Sequence, residues 1–265
     1  MNMRLERYSD NGMKVLITGA SSGIGASLAC KFASEGYDLV LVARDKKKLD
    51  SVKKNCLSKG SVDVSVYVAD LASVDNCKKV YDKYRDIDIL INNAGFGLFG
   101  EVIDTSLDKE LEMVDTNVKA LQVLTKLYLS DMVKRDRGQI LNVASIAGFM
   151  SGPLMSTYYA TKNYVVSYSE AIREELRKMG SNVRISILCP GPVRTNFDNV
   201  AGVSFSLNSK SSDDVAGYAY SKLKRGKFYI VPGFFVRCIR VLSRIVPRSI
   251  LTRIVYYQQR KKKDV

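Results

Sequence analysis

The chain contains no histidine, so proton transfer near neutral pH falls to a perturbed tyrosine, lysine, cysteine or carboxylate. The same absence excludes Ser-His-Asp and Cys-His nucleophile systems, which need an imidazole base, and it removes the commonest transition-metal ligand. A tyrosine followed four positions later by a lysine meets the demand. On a helix the two side chains share a face about one turn apart. A free phenol has a pKa near 10, and lowering it by roughly three units takes about 4 kcal/mol of preference for the phenolate. One cation at about 4 Å, in an effective dielectric near 20, supplies that order.

The spacing alone does not choose the pair, because it occurs four times: Tyr158/Lys162, Tyr218/Lys222, Tyr220/Lys224 and Tyr257/Lys261. Only Tyr158/Lys162 opens a long helical pattern and follows a strand-end serine, Ser145, by 13 residues. The neighbouring Tyr159 has Asn163 one turn on and is assigned to packing or to the pocket wall. A second chemical element is the run Thr18-Gly19-Ala20-Ser21-Ser22-Gly23-Ile24-Gly25. Its glycines allow a sharp turn and close approach to a diphosphate, which would sit at the N-terminus of the following helix.

These residues need a scaffold of strands that end where the chemistry begins. Short apolar runs at 14–18, 38–43, 62–68, 87–92, 139–144, 183–188 and 228–231 read as parallel strands buried on both faces. Helical patterns lie between them near 23–35, 45–58, 73–85, 108–135, 158–179 and 212–225. The predicted fold is α/β: a three-layer Rossmann fold with a doubly wound parallel sheet of about seven strands in a single domain. Residues 195–212 have weak periodicity and many small polar side chains, so a mobile loop of functional character is expected there.

With Asn92-Asn93-Ala94-Gly95 closing the fourth strand, the glycine turn and the Tyr158/Lys162 pair resemble the short-chain dehydrogenase/reductase family, in order, from about residue 14 to 200. The resemblance extends to ketoacyl and steroid reductase-like members. It implies a catalytic tetrad of Asn117, Ser145, Tyr158 and Lys162. Tyr158 would exchange a proton with the carbonyl oxygen, and Lys162 would lower its pKa and hold the nicotinamide ribose. Ser145 would hydrogen-bond the substrate oxygen, and Asn117 would anchor a water that relays protons to Lys162. The implied cofactor contacts are Gly19, Ser21, Ser22, Gly23, Ile24, Gly25, Arg44, Asp70, Leu71, Asn93, Ala94, Gly95, Tyr158, Lys162, Pro190, Gly191, Val193 and Thr195.

The second strand ends Val42-Ala43-Arg44-Asp45. A carboxylate at this place suits the 2′-hydroxyl of NAD, whereas an arginine accommodates a 2′-phosphate. Ala43 removes the carboxylate and Arg44 supplies the cation, which favours NADP(H) over NAD(H). Asp45 is expected to start the next helix. Ser22 stands where family members that use NADP often carry a basic residue, so NAD(H) stays open. The expected reaction is reduction of a hydrophobic or lipid-like ketone to a secondary alcohol. The alternative is a non-catalytic dinucleotide-binding sensor or scaffold on the same fold. Phe96, Phe149, Met150, Leu154 and Met155 are expected on the substrate side of the pocket.

A hydrophobic share of 46% with 26% charged residues is ordinary for a soluble domain. Five scattered cysteines, none at CxxC spacing, argue against disulfides and metal sites and fit a cytoplasmic location. The net charge of +14 is concentrated at the C-terminus, where residues 222–265 carry 13 basic residues and one acidic residue. Residues 1–12 read as a polar, disordered leader, residues 13–232 as the catalytic domain, and residues 233–265 as a basic amphipathic extension broken by Pro247. That extension fits an anionic membrane surface, a lid over the pocket or a subunit interface. Nucleic acid is not an expected partner, since the terminal basic run is short and lacks interleaved aromatics. A homodimer or homotetramer through the helices at 108–135 and 158–179 is implied by the resemblance.

Overall fold

Runs of branched apolar residues bounded by turns form the strands, and their order places every chemically interesting segment on one edge. The computed structural model describes residues 12–194 and 210–260. Seven parallel strands make the central sheet: β1 (Lys14–Thr18), β2 (Asp38–Ala43), β3 (Val64–Val68), β4 (Ile89–Asn92), β5 (Gln139–Val143), β6 (Arg184–Leu188) and β9 (Tyr229–Ile230), in the order 3-2-1-4-5-6-9. The strand order reverses between β1 and β4, with Leu16 opposite Leu90 and Val40. In open α/β sheets the crevice beyond the carboxyl ends at such a reversal is where ligands bind. Each strand lies within two residues of its expected bounds.

One sheet face is covered by α1 (Gly23–Ser34), α2 (Lys46–Leu57) and α7 (Ser212–Lys224), with Leu28, Phe32, Leu49 and Leu223 in the core. The other is covered by α3 (Val74–Lys83), α5 (Leu121–Lys134) and α6 (Ser156–Met179), with Val80, Leu124, Tyr128, Val165 and Ile172 in the core. Met179 is exposed at the last turn of α6, which ends at Gly180 in the left-handed conformation (φ 68°). Side-chain caps set other helix starts: Asp45 accepts from Lys48 N, Ser73 from Asn76 N and Ser106 from Lys109 N.

Two departures from the sequence reading matter. The predicted helix at 108–135 is three segments: α4 (Leu107–Val114), a π-helical turn (Asp115–Ala120) and α5. A π-turn widens the helix by one residue and is common at functional sites; here it carries Asn117. A two-stranded parallel sheet of β7 (Val193–Arg194) and β8 (Lys210–Ser211) was not anticipated. Of the expected loop at 195–212, residues 195–209 lie outside the described residues, as does the leader to residue 11.

Buried amides tie the layers together beneath the crevice. Asn92 Nδ2 donates to Thr125 Oγ1 and to Asn142 Oδ1, each at 2.9 Å, and Asn142 Nδ2 donates to Ser169 Oγ at 2.9 Å. The network joins β4, α5, β5 and α6, and each of its members is buried. Truncation of a buried hydrogen-bonded amide leaves its partners unsatisfied. Asn142→Ala is therefore expected to destabilise the fold by about 1–3 kcal/mol in urea unfolding; a loss within error of zero would contradict this role.

Candidate active site

The glycine turn is built by contact with the end of β4. Thr18 Oγ1 accepts from the backbone N–H groups of Asn93 and Ala94, both at 3.0 Å, and Asn93 Nδ2 donates to the carbonyls of Thr18 (3.0 Å) and Gly19 (3.1 Å). The turn is thereby pressed against Ala94: a Cβ on Gly19 would lie 2.8 Å from Ala94 Cα, and φ is +63° there. A Cβ on Gly25 would lie 2.4 Å from Gly19 O. No larger residue fits either place. Thr18, which the sequence reading left out of the site, is thus as necessary to the turn as its glycines. The available clue was a polar residue closing an apolar strand.

A cleft of about 550 Å3 runs along the carboxyl ends of the strands. Its walls bring together Gly19, Ser21, Ser22, Gly23, Ile24, Arg44, Asp70, Leu71, Asn93, Ala94, Gly95, Ser145, Tyr158, Lys162, Pro190, Gly191 and Val193. Gly25 and Asn117 stand behind the wall, and Thr195 lies outside the described residues. Lys48, Met155, Tyr159 and Gln259 also line the cleft. Gln259 reaches it from α9 (Arg248–Arg260), the far end of the C-terminal extension, and its Nε2 donates to Tyr159 Oη at 2.7 Å. Among the expected substrate-side residues Phe96 and Met155 line the cleft. Phe149 instead packs on Tyr229, because the short helix at Ile146–Phe149 turns its last side chain towards β9. Leu154 is buried, and neither it nor Met150 is part of the wall.

At the end near β2, Asp45 caps α2 and its carboxylate is held below its ordinary pKa, mainly by the Lys48 backbone N–H. Arg44, Asp45 and Lys48 all line this end of the cleft, and Lys48 Nζ lies 3.5 Å from Asp45 Oδ2 in an exposed pair. Arg44 meets Glu112 at 2.7 Å, with both side chains substantially exposed, and exposed pairs of this kind are worth about 0–1 kcal/mol. The guanidinium can therefore be drawn away by a stronger anion.

At the opposite end Tyr158 and Lys162 rise from the first turns of α6. Lys162 is buried and its Nζ donates to the carbonyl of Val143, the last residue of β5, at 3.0 Å. The ammonium lies 5.8 Å from the centre of the Tyr158 ring. Burial lowers the Lys162 pKa to about 8, opposed by the Cys189 thiol. Burial also pushes the Tyr158 phenol well above its ordinary value, opposed by a hydrogen bond with Ser145. Ser145, which begins the Ile146–Phe149 turn, also accepts from Ala147 N at 3.2 Å. Lys162 thus stands beneath the tyrosine ring, with its first hydrogen bond committed to β5.

Asn117 works as a strut. Both its amide hydrogens are committed, to Phe96 O (2.9 Å) and Thr161 Oγ1 (3.1 Å), and its Oδ1 accepts from Phe96 N at 3.0 Å. It fixes the chain after Gly95, where a Cβ would lie 2.8 Å from Asn117 Oδ1 and 3.5 Å from Lys162 Nζ.

The fit to a nicotinamide dinucleotide rests on these features: a backbone cradle that tolerates only glycine, opening onto a helix N-terminus, two cations at one end of the cleft, and a tyrosine, serine and lysine at the other. The match to known proteins agrees. A family model described as short chain dehydrogenase covers residues 13–202. A human protein named dehydrogenase/reductase SDR family member 7 is 37% identical over 70% of this chain, a match that spans 56% of the human protein. A Sphingobium yanoikuyae short-chain dehydrogenase solved in complex with NADPH superposes with a TM-score of 0.79 at 33% identity, over 84% of this chain and 88% of that one. A Burkholderia phymatum short-chain dehydrogenase/reductase in complex with NAD also gives 0.79, at 26% identity, over 88% of this chain and 93% of that one.

The buried lysine carries a testable cost. It titrates near 10.5 when solvated and near 8 when folded, so between those values the unfolded chain holds the extra proton and stability rises with pH. Below pH 8 the full penalty stands. That gap corresponds to about 3 kcal/mol. Lys162→Met is expected to raise stability at pH 7 by up to about 3 kcal/mol, with the advantage fading towards pH 10.5 and turnover lost. Urea unfolding at several pH values checks it; a less stable Met variant at pH 7 would contradict it.

Proposed function

The chain belongs to the short-chain dehydrogenase family, and from that premise we propose that it is an NADPH-dependent reductase converting a hydrophobic ketone to a secondary alcohol. The observation that carries the proposal is the meeting of Ser145, Tyr158 and Lys162 at one end of the cleft with Arg44 and Lys48 at the other. When bound, the reduced dinucleotide supplies the hydride.

The protein's own residues supply the rest. Ser145 and Tyr158 present hydroxyls to the substrate oxygen, and Tyr158 gives its proton to that oxygen as negative charge develops there. The phenolate left behind is favoured by Lys162, which is mostly cationic at pH 7 given a pKa of about 8. The ammonium lies 5.8 Å from the ring centre, close enough for its attraction to oppose the cost of burying the phenolate. Lys162 also faces the cleft beside Gly95, within reach of ribose hydroxyls. Asn117 acts through Phe96 and Thr161, holding the wall opposite Lys162; a relayed water would be held through its main chain or the remaining Oδ1 lone pair. Arg44 and Lys48 favour a 2′-phosphate, for which Arg44 would exchange its weak pairing with Glu112.

Phe96, Met155 and Tyr159 make the substrate end largely apolar, with Tyr159 Oη and Gln259 as its polar groups. That lining supports a hydrophobic ketone. Leu107 and Leu111, exposed on α4, support the expected homo-oligomer through the α4–α5 and α6 surfaces.

Two substitutions test the assignments. Tyr158→Phe is expected to lower kcat on a ketone panel by about 10²–10⁴-fold while NADPH binding, followed by fluorescence, is retained. Arg44→Ser is expected to raise the NADPH Kd by about 10–100-fold, the loss of a charge-assisted hydrogen bond, with NADH binding nearly unchanged. Tight cofactor binding without turnover on any ketone would point to a sensor instead. Equal effects of Arg44→Ser on both cofactors would refute its role in selecting the phosphate.

A further inference from the structure

The C-terminal extension folds as α8 (Phe234–Ile245) and α9, separated at Pro247, and it presents its most apolar side to solvent. On α8, Phe234, Phe235, Cys238, Val241, Leu242 and Ile245 fall within about 120° of the helix circumference at 100° per residue. Phe234, Phe235 and Ile245 are 76%, 75% and 73% exposed. The opposite face is the one that packs. Val236 lies against Gly191, where a Cβ would come 2.9 Å from Val236 Cγ2, and the Arg240 guanidinium sits 3.4 Å from the centre of the Tyr229 ring. Arg244 pairs with Glu170 at 3.7 Å. On α9 the buried residues are Val255 and Gln259, while Ile250, Ile254 and Tyr257 are exposed at i, i+4 and i+7. The extension therefore packs on the domain with one face, reaching the cleft wall through Gln259, and leaves an apolar stripe uncovered on the other.

Charge restricts what can cover it. Residues 234–260 contain six arginines and no acidic residue. Arg237 borders the α8 stripe on one side, with Arg244 beyond it towards Glu170, and Arg248 and Arg253 are exposed along α9. A second copy meeting this face with its own would set arginine against arginine, which disfavours a two-fold interface. Among the described residues no helix is long and apolar enough to cross a bilayer. An apolar stripe bordered by cations, rigidly mounted and too short to span, matches the boundary between acyl chains and anionic headgroups.

We propose that the exposed faces of α8 and α9 dock on an anionic lipid surface, with Phe234, Phe235, Leu242 and Ile245 inserted at the acyl boundary and Arg237, Arg248 and Arg253 on lipid phosphates. The protein thereby lies on the membrane with α9, which contributes Gln259 to the cleft wall, in contact with lipid.

The test is co-sedimentation of the purified full chain with phosphatidylcholine vesicles, with and without 30% phosphatidylserine (an amount of roughly this size makes the surface strongly anionic). The expected result is strong binding to the anionic vesicles only, weakened by high salt. Phe234→Ser/Phe235→Ser is expected to reduce the bound fraction at least tenfold. Arg237→Gln/Arg248→Gln is expected to reduce it by about fivefold per arginine removed. Unchanged NADPH binding shows that each variant is folded. Absence of binding to both vesicle types, or equal binding by the phenylalanine variant, would overturn the proposal. A wild-type oligomer that Phe234→Ser/Phe235→Ser dissolves would also overturn it, in favour of a second copy as occupant.

Discussion

A buried ammonium hydrogen-bonded to the end of a strand is the constraint on which the site depends. Lys162 donates to the Val143 carbonyl, joining α6 to the last residue of β5. That bond orders the first turns of α6, and with them Tyr158, against Ser145 two residues beyond Val143. Without it the helix would still bury Val165, Ile172 and Leu176 and Asn117 would still hold Thr161, but the ammonium would lose the bond that sets its place beneath Tyr158. The arrangement is costly, because desolvation works against both the ammonium and the phenolate. Active sites commonly store such strain, which the rest of the fold must outweigh.

The outweighing structure lies immediately around it. The sheet gives two apolar cores, one per face, and the Asn92–Asn142–Ser169 chain of hydrogen bonds ties strands to helices below the crevice. On the other side of the strand-order reversal, Thr18 and Asn93 bind the glycine turn to β4 so closely that Gly19 meets Ala94. The cleft is thus walled by backbone at the glycine turn, between Arg44 and Lys48 at one end and Ser145, Tyr158 and Lys162 at the other. This division of labour suits a ligand with a diphosphate and a redox-active ring.

Much of this was legible in the sequence because it depends on local rules. Apolar runs bounded by turns gave the seven strands in place, and the glycine spacing located the turn. Of the three Tyr/Lys pairs that fall wholly within the described residues, only the one opening a helix after Ser145 lies on the cleft. What the sequence did not reveal depends on tertiary contact. The π-turn at Asp115–Ala120 has no local pattern that separates it from a continuous helix. Asn93 lines the cleft and also commits its amide to the turn, and Asn117 braces Phe96 and Thr161, contacts that no local pattern announces. Gln259 is a hundred residues from Tyr159, and no periodicity announces such a contact. The sequence leaves the extension open between a membrane surface, a lid and a subunit interface, because which of its faces is buried depends on tertiary contact.

The most direct test of the central claim is the fate of the hydride. Wild-type protein would be incubated with a hydrophobic ketone and NADPH carrying deuterium at the transferable position of the nicotinamide, and the alcohol analysed by mass spectrometry. One deuterium at the carbinol carbon of each product molecule is the result predicted for an oxidoreductase built on Ser145, Tyr158 and Lys162. Tight NADPH binding with no deuterium in any alcohol product would contradict it.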